Sequence, residues 1–126
     1  MASNVKQLLD SANASVPKIT PAELKKMSAE DDVLIVDVRD HPEVAAAGKI
    51  KGAHHVTRGM LDFRADPASP YHDKAFVKDR KIAVYCASGG RAALGAKLLK
   101  DFGYSQVFNA GGFKDWVDSG GEVEKA

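Results

Sequence analysis

The sequence predicts an α/β fold, with a central, mainly parallel sheet flanked by helices on both faces. Residues 33–38 and 82–85 are nearly continuous apolar runs, which is typical of strands buried on both faces of a parallel sheet. Helix-like segments alternate with these strands along the chain, as in parallel α/β proteins. Polar or glycine-rich segments follow the strands at residues 37–40, 86–91 and 109–112. Open α/β sheets place their sites at such strand ends.

Length and composition indicate one globular domain. The chain has 126 residues, of which 44% are hydrophobic and 28% charged, and its formal net charge is +1. We expect a single domain over residues 18–126, preceded by an N-terminal helix and linker over residues 1–17. The near-neutral charge gives no reason to expect a nucleic-acid partner. No apolar run approaches the roughly 20 residues of a membrane span, so we expect no membrane partner either.

The chain begins with two predicted helices. Residues 5–9 form a short helical start, and a polar linker runs from there to Pro17. The segment Thr20-Pro21-Ala22-Glu23 opens the second helix, because Thr20 can cap it and Glu23 can reach back to complete a capping box.

A less regular region follows the first strand. Residues 40–47 are predicted to form a helix capped by Asp40 and ended by Gly48, and residues 53–56 a short strand. Residues 58–75 contain two prolines and many polar side chains and are predicted to be irregular. A short helix is expected to begin within residues 73–77.

The second half returns to regular alternation. Residues 92–102 form a predicted helix that Gly103 ends. Residues 106–109 are the third predicted strand, and residues 113–117 form a short helix. Order is expected to end at residues 119–121.

Cys86 is the single cysteine and lies between the strand at 82–85 and the helix at 92–102. The loop after it reads Ala87-Ser88-Gly89-Gly90-Arg91. Its glycines allow several backbone N–H groups to face one point, and the adjacent helix N-terminus carries a positive dipole end. Both features favour a reactive thiolate. From local features alone, the alternative that Cys86 is a small buried hydrophobic residue stays open.

One cysteine cannot form an intrachain disulfide, which suits a reducing compartment. Residues 1–15 lack the basic and then apolar pattern of a secretory signal, so we expect a cytoplasmic protein. His54 and His55 are adjacent and poorly placed to converge on one metal ion. We therefore expect neither a metal nor another cofactor.

Four segments together resemble the rhodanese-like sulfurtransferases in their single-domain form. They are Asp37-Val38-Arg39, Gly48-Lys49-Ile50-Lys51-Gly52-Ala53-His54, Cys86-Ala87-Ser88-Gly89-Gly90-Arg91-Ala92 and Ala110-Gly111-Gly112-Phe113-Lys114-Asp115-Trp116. They occur in the family's order and span most of the chain. The family often reads Gly-His-Ile-Pro-Gly-Ala in the second segment, where this chain has Lys49 and Lys51. Because that turn is chiefly structural, we expect altered surface charge and retained activity.

The resemblance implies sulfur transfer through a persulfide on Cys86. The thiolate would take the outer sulfur of a small anion such as thiosulfate and pass it to cyanide, to a cellular thiol or to a partner protein. The loop residues would cradle the transferred sulfur with their N–H groups. The predicted cradle consists of Ala87, Ser88, Gly89, Gly90, Arg91 and Ala92. The predicted supporting residues are Asp37, Arg39, His54 and Arg58.

Two roles are open for Arg91. It can orient an anionic donor, or it can brace the loop by pairing with a carboxylate such as Asp37 or Glu43. The second role is favoured, since an arginine at a helix start often points away from the loop centre.

Other functions remain open from the sequence. A cysteine-dependent phosphatase or arsenate reductase also uses a cysteine loop that ends in arginine, but phosphatase loops enclose five residues and this one encloses four, from Cys86 to Arg91. A non-catalytic interaction or regulatory module is the other alternative. Retention of Cys86 and both loop glycines counts against it.

Overall fold

A computed structural model describes residues 3–126. Its helices and strands are, in chain order, α1 Val5–Ser15, α2 Pro21–Glu30, β1 Val33–Asp37, α3 His41–Ala47, β2 Lys49–Ile50, β3 His54–His55, α4 Arg58–Ala65, β4 Lys81–Cys86, α5 Gly90–Asp101, β5 Gln106–Gly112, α6 Phe113–Asp118 and β6 Val123–Glu124. None of the helices in this described part is long and apolar enough to cross a bilayer.

The predicted fold class is confirmed. The main sheet has the strand order β3-β1-β4-β5, and all of its pairs are parallel. A second, two-stranded sheet pairs β2 with β6 in antiparallel fashion. Helices α4 and α5 contribute buried side chains to the core on one face of the main sheet, and α2 and α6 do so on the other.

The two apolar runs are continuous because each strand packs into both cores. In β1, Leu34 and Val36 belong to the core beneath α5, whereas Ile35 belongs to the core beneath α2. Side chains of β4 alternate in the same way, as the two-residue period of a strand requires. Tyr85 therefore points to the α2 face and Cys86 to the α5 face.

The predicted start of α2 is confirmed. Thr20 Oγ1 accepts a hydrogen bond from the Glu23 N–H, and the Glu23 carboxylate accepts one from the Thr20 N–H. This is the reciprocal capping box that the sequence predicts. Gly48 ends α3 with a φ of 80°, a conformation that glycine adopts without strain.

The first helix is longer than predicted, since α1 continues to Ser15 where the sequence suggested a linker. Its C-terminal half is rich in polar residues, but Ala12 is fully buried and α1 packs against α5. Val16, the residue after the helix, joins the core. The sequence periodicity of α1 is weak, and its packing on α5 supplies the tertiary contacts that stabilise the longer helix.

The prediction that residues 58–75 are irregular is wrong for their first half, which forms α4. Leu61 and Ala65, four residues apart on the helix, are both fully buried against the sheet and α5. Arg58 and Asp62 form an ion pair with the same spacing on the exposed side. The other two apolar residues of the segment, Met60 and Phe63, are exposed, so its sequence shows no clear amphipathic period.

No helix begins within residues 73–77, so that prediction is wrong too. Asp73 instead forms a tight turn, in which its carboxylate accepts from the Ala75 N–H and its carbonyl accepts from the Phe76 N–H. Aspartate commonly stabilises such turns in competition with a helix. Phe76 is buried by the turn.

Order does not end at residues 119–121. The chain continues into β6, whose Val123 and Glu124 pair with Ile50 and Lys49. Trp116 is buried in the second core, as expected of a core anchor, and its Nε1 donates to the Glu122 carbonyl 2.9 Å away. That contact holds the C-terminal segment against the domain.

Candidate functional site

Cys86 ends β4, and its sulfur is held by backbone N–H groups of the following loop. Sγ accepts hydrogen bonds from the Gly89 N–H at 3.0 Å and the Ala92 N–H at 3.4 Å. Gly89 has a φ of 103°, the left-handed conformation that turns its N–H back toward the sulfur. Helix α5 begins at Gly90, so the sulfur also lies at the positive end of a 12-residue helix.

The predicted cradle is a short surface loop above a buried sulfur. Ala87 and Ser88 are exposed, Gly89, Gly90 and Arg91 are half-buried, and Ala92 is buried together with Cys86. The loop thus has an exposed tip at Ala87 and Ser88 and directs the Gly89 and Ala92 N–H groups to Sγ. Such groups can hold an anion without reorganising.

Gly112, the last residue of β5, lets this strand approach the cysteine loop closely. A Cβ atom on Gly112 would stand 2.5 Å from the Ala87 carbonyl oxygen, which is closer than real Cβ atoms come to other atoms. A Cβ on Gly89 would stand 3.7 Å from the Gly111 Cα. The close approach therefore requires glycine at position 112, whereas Gly111 has a φ of 80° and a Cβ there would meet no atom within 4 Å.

Arg91 braces the loop. Its guanidinium donates two hydrogen bonds to the Glu43 carboxylate, at 2.6 and 2.9 Å, and so ties α5 to α3. The hydrogen bond from Arg91 lowers the pKa of Glu43 to about 2. The same hydrogen bond raises the pKa of Arg91. Of the two roles considered for this arginine, the geometry is that of the brace, with Glu43 as the partner.

Asp37 and Arg39 form a buried ion pair beneath the site. Arg39 donates to Asp37 through Nε at 3.0 Å and Nη2 at 2.7 Å, and also to the Gly48 carbonyl. Tyr85 donates its hydroxyl to Asp37 Oδ2 at 2.6 Å, the same oxygen that accepts from Arg39 Nη2. Burial, and then the hydrogen bond to Asp37, raise the pKa of Tyr85. The Arg39 guanidinium also lies 4.2 Å from the ring centre of Phe113.

His54 and Arg58 have partners away from the cysteine loop. His54 Nε2 pairs with the Asp73 carboxylate, and its ring meets Phe76 edge to face. Arg58 pairs with Asp62 along α4. The structure thus engages both in contacts that hold the region around α4 together.

Asn109 begins the 109–112 segment that the sequence placed at a strand end near the site, but it was not among the predicted site residues. It lies in β5 with its side chain buried, and its amide group touches the cysteine loop: Nδ2 donates to the Gly89 carbonyl at 3.3 Å. Its Oδ1 accepts from the Gly111 N–H at 2.9 Å. The only signal in the sequence was a polar residue at the end of a predicted strand, directly before the Ala-Gly-Gly segment.

Two cavities flank the cysteine loop. One, of about 270 Å³, lies between the loop and the N-terminal segment, with Leu9 and Asn13 of α1 and the exposed Lys18 among its lining residues. The other, of about 320 Å³, lies on the side of Ala87 and Phe113.

Within residues 3–126, no three His, Cys, Asp or Glu side chains are grouped so that they could hold a metal ion.

Comparison with known proteins gives one matching family and several similar structures. The model of the rhodanese-like domain matches residues 20–119. A solved protein of unknown function from Rhodopseudomonas palustris, described as a possible tyrosine phosphatase, is 44% identical with a TM-score of 0.89, and the match covers 98% of this chain and 96% of that one. The polysulfide-sulfur transferase homodimer from Wolinella succinogenes is 27% identical with a TM-score of 0.76, over 96% of this chain and 87% of that one.

The curated relatives are longer proteins. The tRNA uridine(34) hydroxylase of Cytophaga hutchinsonii is 32% identical over 106 residues, which is 82% of this chain and 33% of that protein. The chain therefore spans about a third of the length of this relative.

Proposed function

The chain belongs to the rhodanese-like domain family, and we propose that it is a sulfurtransferase. It moves a sulfane sulfur from a donor such as thiosulfate to a thiophilic acceptor through a persulfide on Cys86. The acceptor is cyanide in the laboratory and a small thiol or a partner protein in the cell. A cytoplasmic location belongs to the same proposal, because a free thiolate persists in a reducing compartment.

The hydrogen bonding of the Cys86 sulfur supports this proposal most directly. Two backbone N–H groups point at Sγ, from Gly89 and Ala92, at the N-terminus of α5. A cysteine that only filled the core would need neither bond. Hydrogen bonds from fixed donors favour the anionic sulfur, which is the nucleophilic form.

The reaction divides into two displacements at sulfur. In the first, the Cys86 thiolate attacks the outer sulfur of thiosulfate; a new S–S bond forms, the old one breaks, and sulfite leaves with the electron pair. In the second, the acceptor attacks the outer sulfur of the persulfide and Cys86 leaves as thiolate. Each N–H group aimed at developing negative charge is worth about 2.7–4 kcal/mol in comparable sites.

Backbone groups are the natural anion holders at this site. Arg91 is paired with Glu43, and Arg39 is buried against Asp37. Their charges are therefore largely neutralised by carboxylates. The N-terminal N–H groups of α5 remain to receive the negative donor.

The names of the relatives bear on the substrate in different ways. Polysulfide, which the Wolinella protein's name states, is a second donor of the same chemistry, since its terminal sulfurs are also sulfane sulfurs. The hydroxylase name describes proteins of which this chain matches about a third. The shared part covers 82% of this chain, which includes most of its rhodanese-like domain. The action of those proteins on tRNA is not part of our proposal.

A phosphatase is the second candidate, because the 44% identical structure is described as a possible tyrosine phosphatase. The loop from Cys86 to Arg91 encloses four residues, whereas the family of tyrosine phosphatases encloses five. The tighter ring fits a single sulfur better than a tetrahedral phosphate. Hydrolysis of an aryl phosphate that is lost in Cys86→Ser would favour the phosphatase over our proposal.

Intact-protein mass spectrometry tests the proposal. Wild type and Cys86→Ser are incubated with thiosulfate and then with cyanide. We expect wild type alone to gain one sulfur atom, and cyanide to remove it with release of thiocyanate. If wild type gains no sulfur from thiosulfate or from polysulfide, the proposal is wrong, and the non-catalytic module becomes the better reading.

A further inference from the structure

We propose that Asn109 is a positioning residue for the Cys86 nucleophile. Its side-chain amide fixes Gly89, the residue that donates the shorter of the two hydrogen bonds to the sulfur. The inference rests on the proposed function only in taking Cys86 as the reacting group. Asn109 touches no reacting atom and acts through the loop.

The backbone of Asn109 is held firmly in the sheet. Its N–H donates to the Pro17 carbonyl and its own carbonyl accepts from the Ile19 N–H, both at 2.9 Å. On its other side β5 pairs with β4, where Asn109 is in register with Val84. The side chain therefore projects from a backbone that is bonded on both edges.

The partners of the amide leave one orientation for it. Its Oδ1 faces the Gly111 N–H, which can only donate, and its Nδ2 faces the Gly89 carbonyl, which can only accept. Asn109 is only 4% exposed, so its amide has little access to solvent as an alternative partner. A buried amide that satisfies one backbone group at the end of β5 and one in the cysteine loop links the loop to the strand.

Gly89 is the point at which this link reaches the sulfur. Its carbonyl accepts from Asn109 and from the Ala93 N–H, while its own N–H donates to Cys86 Sγ. Its φ of 103° is the backbone conformation in which the N–H faces Sγ while the carbonyl faces Asn109 and Ala93. If the carbonyl loses Asn109, it keeps only the Ala93 N–H as a partner, and the direction of the Gly89 N–H toward the sulfur is held less firmly.

Two variants and a control test the role. Asn109→Ala removes both side-chain bonds, and Asn109→Asp keeps the shape and the acceptor for Gly111 but loses the donor to Gly89. The control is Tyr104→Phe, which removes a buried hydrogen bond to the Ala65 carbonyl on another part of the core. The readouts are the rate of Cys86 alkylation by iodoacetamide at pH 7 and the NMR chemical shift of the Gly89 amide proton.

We expect both Asn109 variants to alkylate about tenfold more slowly, the factor that corresponds to the loss of one hydrogen bond to a charged group. The Gly89 amide signal shifts in both, and Tyr104→Phe behaves like wild type in both readouts. A slow rate in Asn109→Asp alone would mean that added charge, and not lost positioning, causes the effect, and would overturn the inference. Equal rates in all four proteins would overturn it as well.

The experiment is independent of sulfur transfer, because iodoacetamide alkylates the thiolate with no sulfur donor or acceptor present. If wild type forms no persulfide but the Asn109 variants alkylate slowly, the proposed function fails and the positioning role stands. If wild type forms the persulfide and both variants alkylate at its rate, the positioning role fails and the function stands.

Discussion

At the scale of single residues, charge pairing around the loop depends on which carboxylates are still available. The sequence left Arg91 with two candidate partners, Asp37 and Glu43. In the structure, Asp37 is occupied by Arg39 and by the Tyr85 hydroxyl. Glu43 is then the remaining partner, and it accepts both hydrogen bonds from Arg91. The brace between α3 and α5 thus uses the one of these two carboxylates that the buried pair does not engage.

The Arg91–Glu43 brace makes the free energy of unfolding depend on pH between about 4.5 and 2. The pKa of Glu43 is lowered from 4.5 to about 2 in the folded protein, so its contribution is present above pH 4.5 and is lost as the pH falls toward 2. Both side chains are 36% exposed, so solvent screening keeps the contribution small. We expect Glu43→Gln to lower the free energy of unfolding by about 0.5–1 kcal/mol at pH 7, measured by urea denaturation.

The difference between wild type and Glu43→Gln should shrink as the pH is lowered, and disappear near pH 2. Glu30→Gln is the matched control, because Glu30 is exposed and has no ion-pair partner within residues 3–126. A difference for Glu43→Gln that is the same at pH 7 and pH 2.5 would contradict the assignment.

At the scale of elements, the start of α5 decides where the sulfur's hydrogen bonds come from. Gly89 and Gly90 are adjacent and look equivalent in the sequence. In the structure only Gly89 has a positive φ, whereas Gly90 is the first residue of the helix. A Cβ on Gly90 would stand 3.9 Å from Leu9 of α1, an ordinary contact. Gly89 is therefore required for its left-handed conformation, whereas Gly90 is an ordinary first residue of the helix.

This contrast gives a matched pair of variants. Gly89→Ala forces a Cβ into the left-handed region at a cost of about 1–2 kcal/mol, which the loop can relieve by turning its N–H away from Sγ. Gly90→Ala places a good helix former in α5. We expect persulfide formation from thiosulfate, followed by quenched mass spectrometry, to be at least about tenfold slower in Gly89→Ala and near wild type in Gly90→Ala. Equal rates in the two variants would falsify this account of the loop.

At the scale of the whole molecule, the family domain is joined to the chain that precedes it. The matched region begins at residue 20, yet α1 packs on α5, and Pro17 and Ile19 hydrogen-bond to Asn109 in β5. The cavity of about 270 Å³ beside the cysteine loop has α1 as one wall. The N-terminal helix thus completes the surface around the site, although it lies outside the matched region.

The packing of α1 can be tested with two alanines of the same helix. Ala12 is fully buried against α5, whereas Ala14 is exposed. Ala12→Asp buries a charge in that contact, and we expect it to lower the free energy of unfolding by about 2–3 kcal/mol. Ala14→Asp should change it by about 0.5 kcal/mol or less. If urea denaturation finds the two variants alike, α1 does not pack on α5 in solution.

What the sequence determined by itself is local in character. The apolar runs at 33–38 and 82–85 predict buried parallel strands, because the side chains on both faces of each strand are apolar within one short segment. Cys86 and its two glycines predict a curled loop before a helix because backbone freedom is a property of the glycine itself. Capping at Thr20 is equally local, since its partner is three residues away.

Only the tertiary structure decided the contacts between distant segments. Helix α4 buries Leu61 and Ala65 beneath α5, whereas Met60 and Phe63 are exposed, so its sequence alone shows no clear amphipathic period. Glu43 lies 48 residues from Arg91, and Asn109 lies 20 residues from Gly89. Neither partnership has a local pattern, because it exists only once β1, β4 and β5 stand side by side and bring their carboxyl ends to one edge of the sheet.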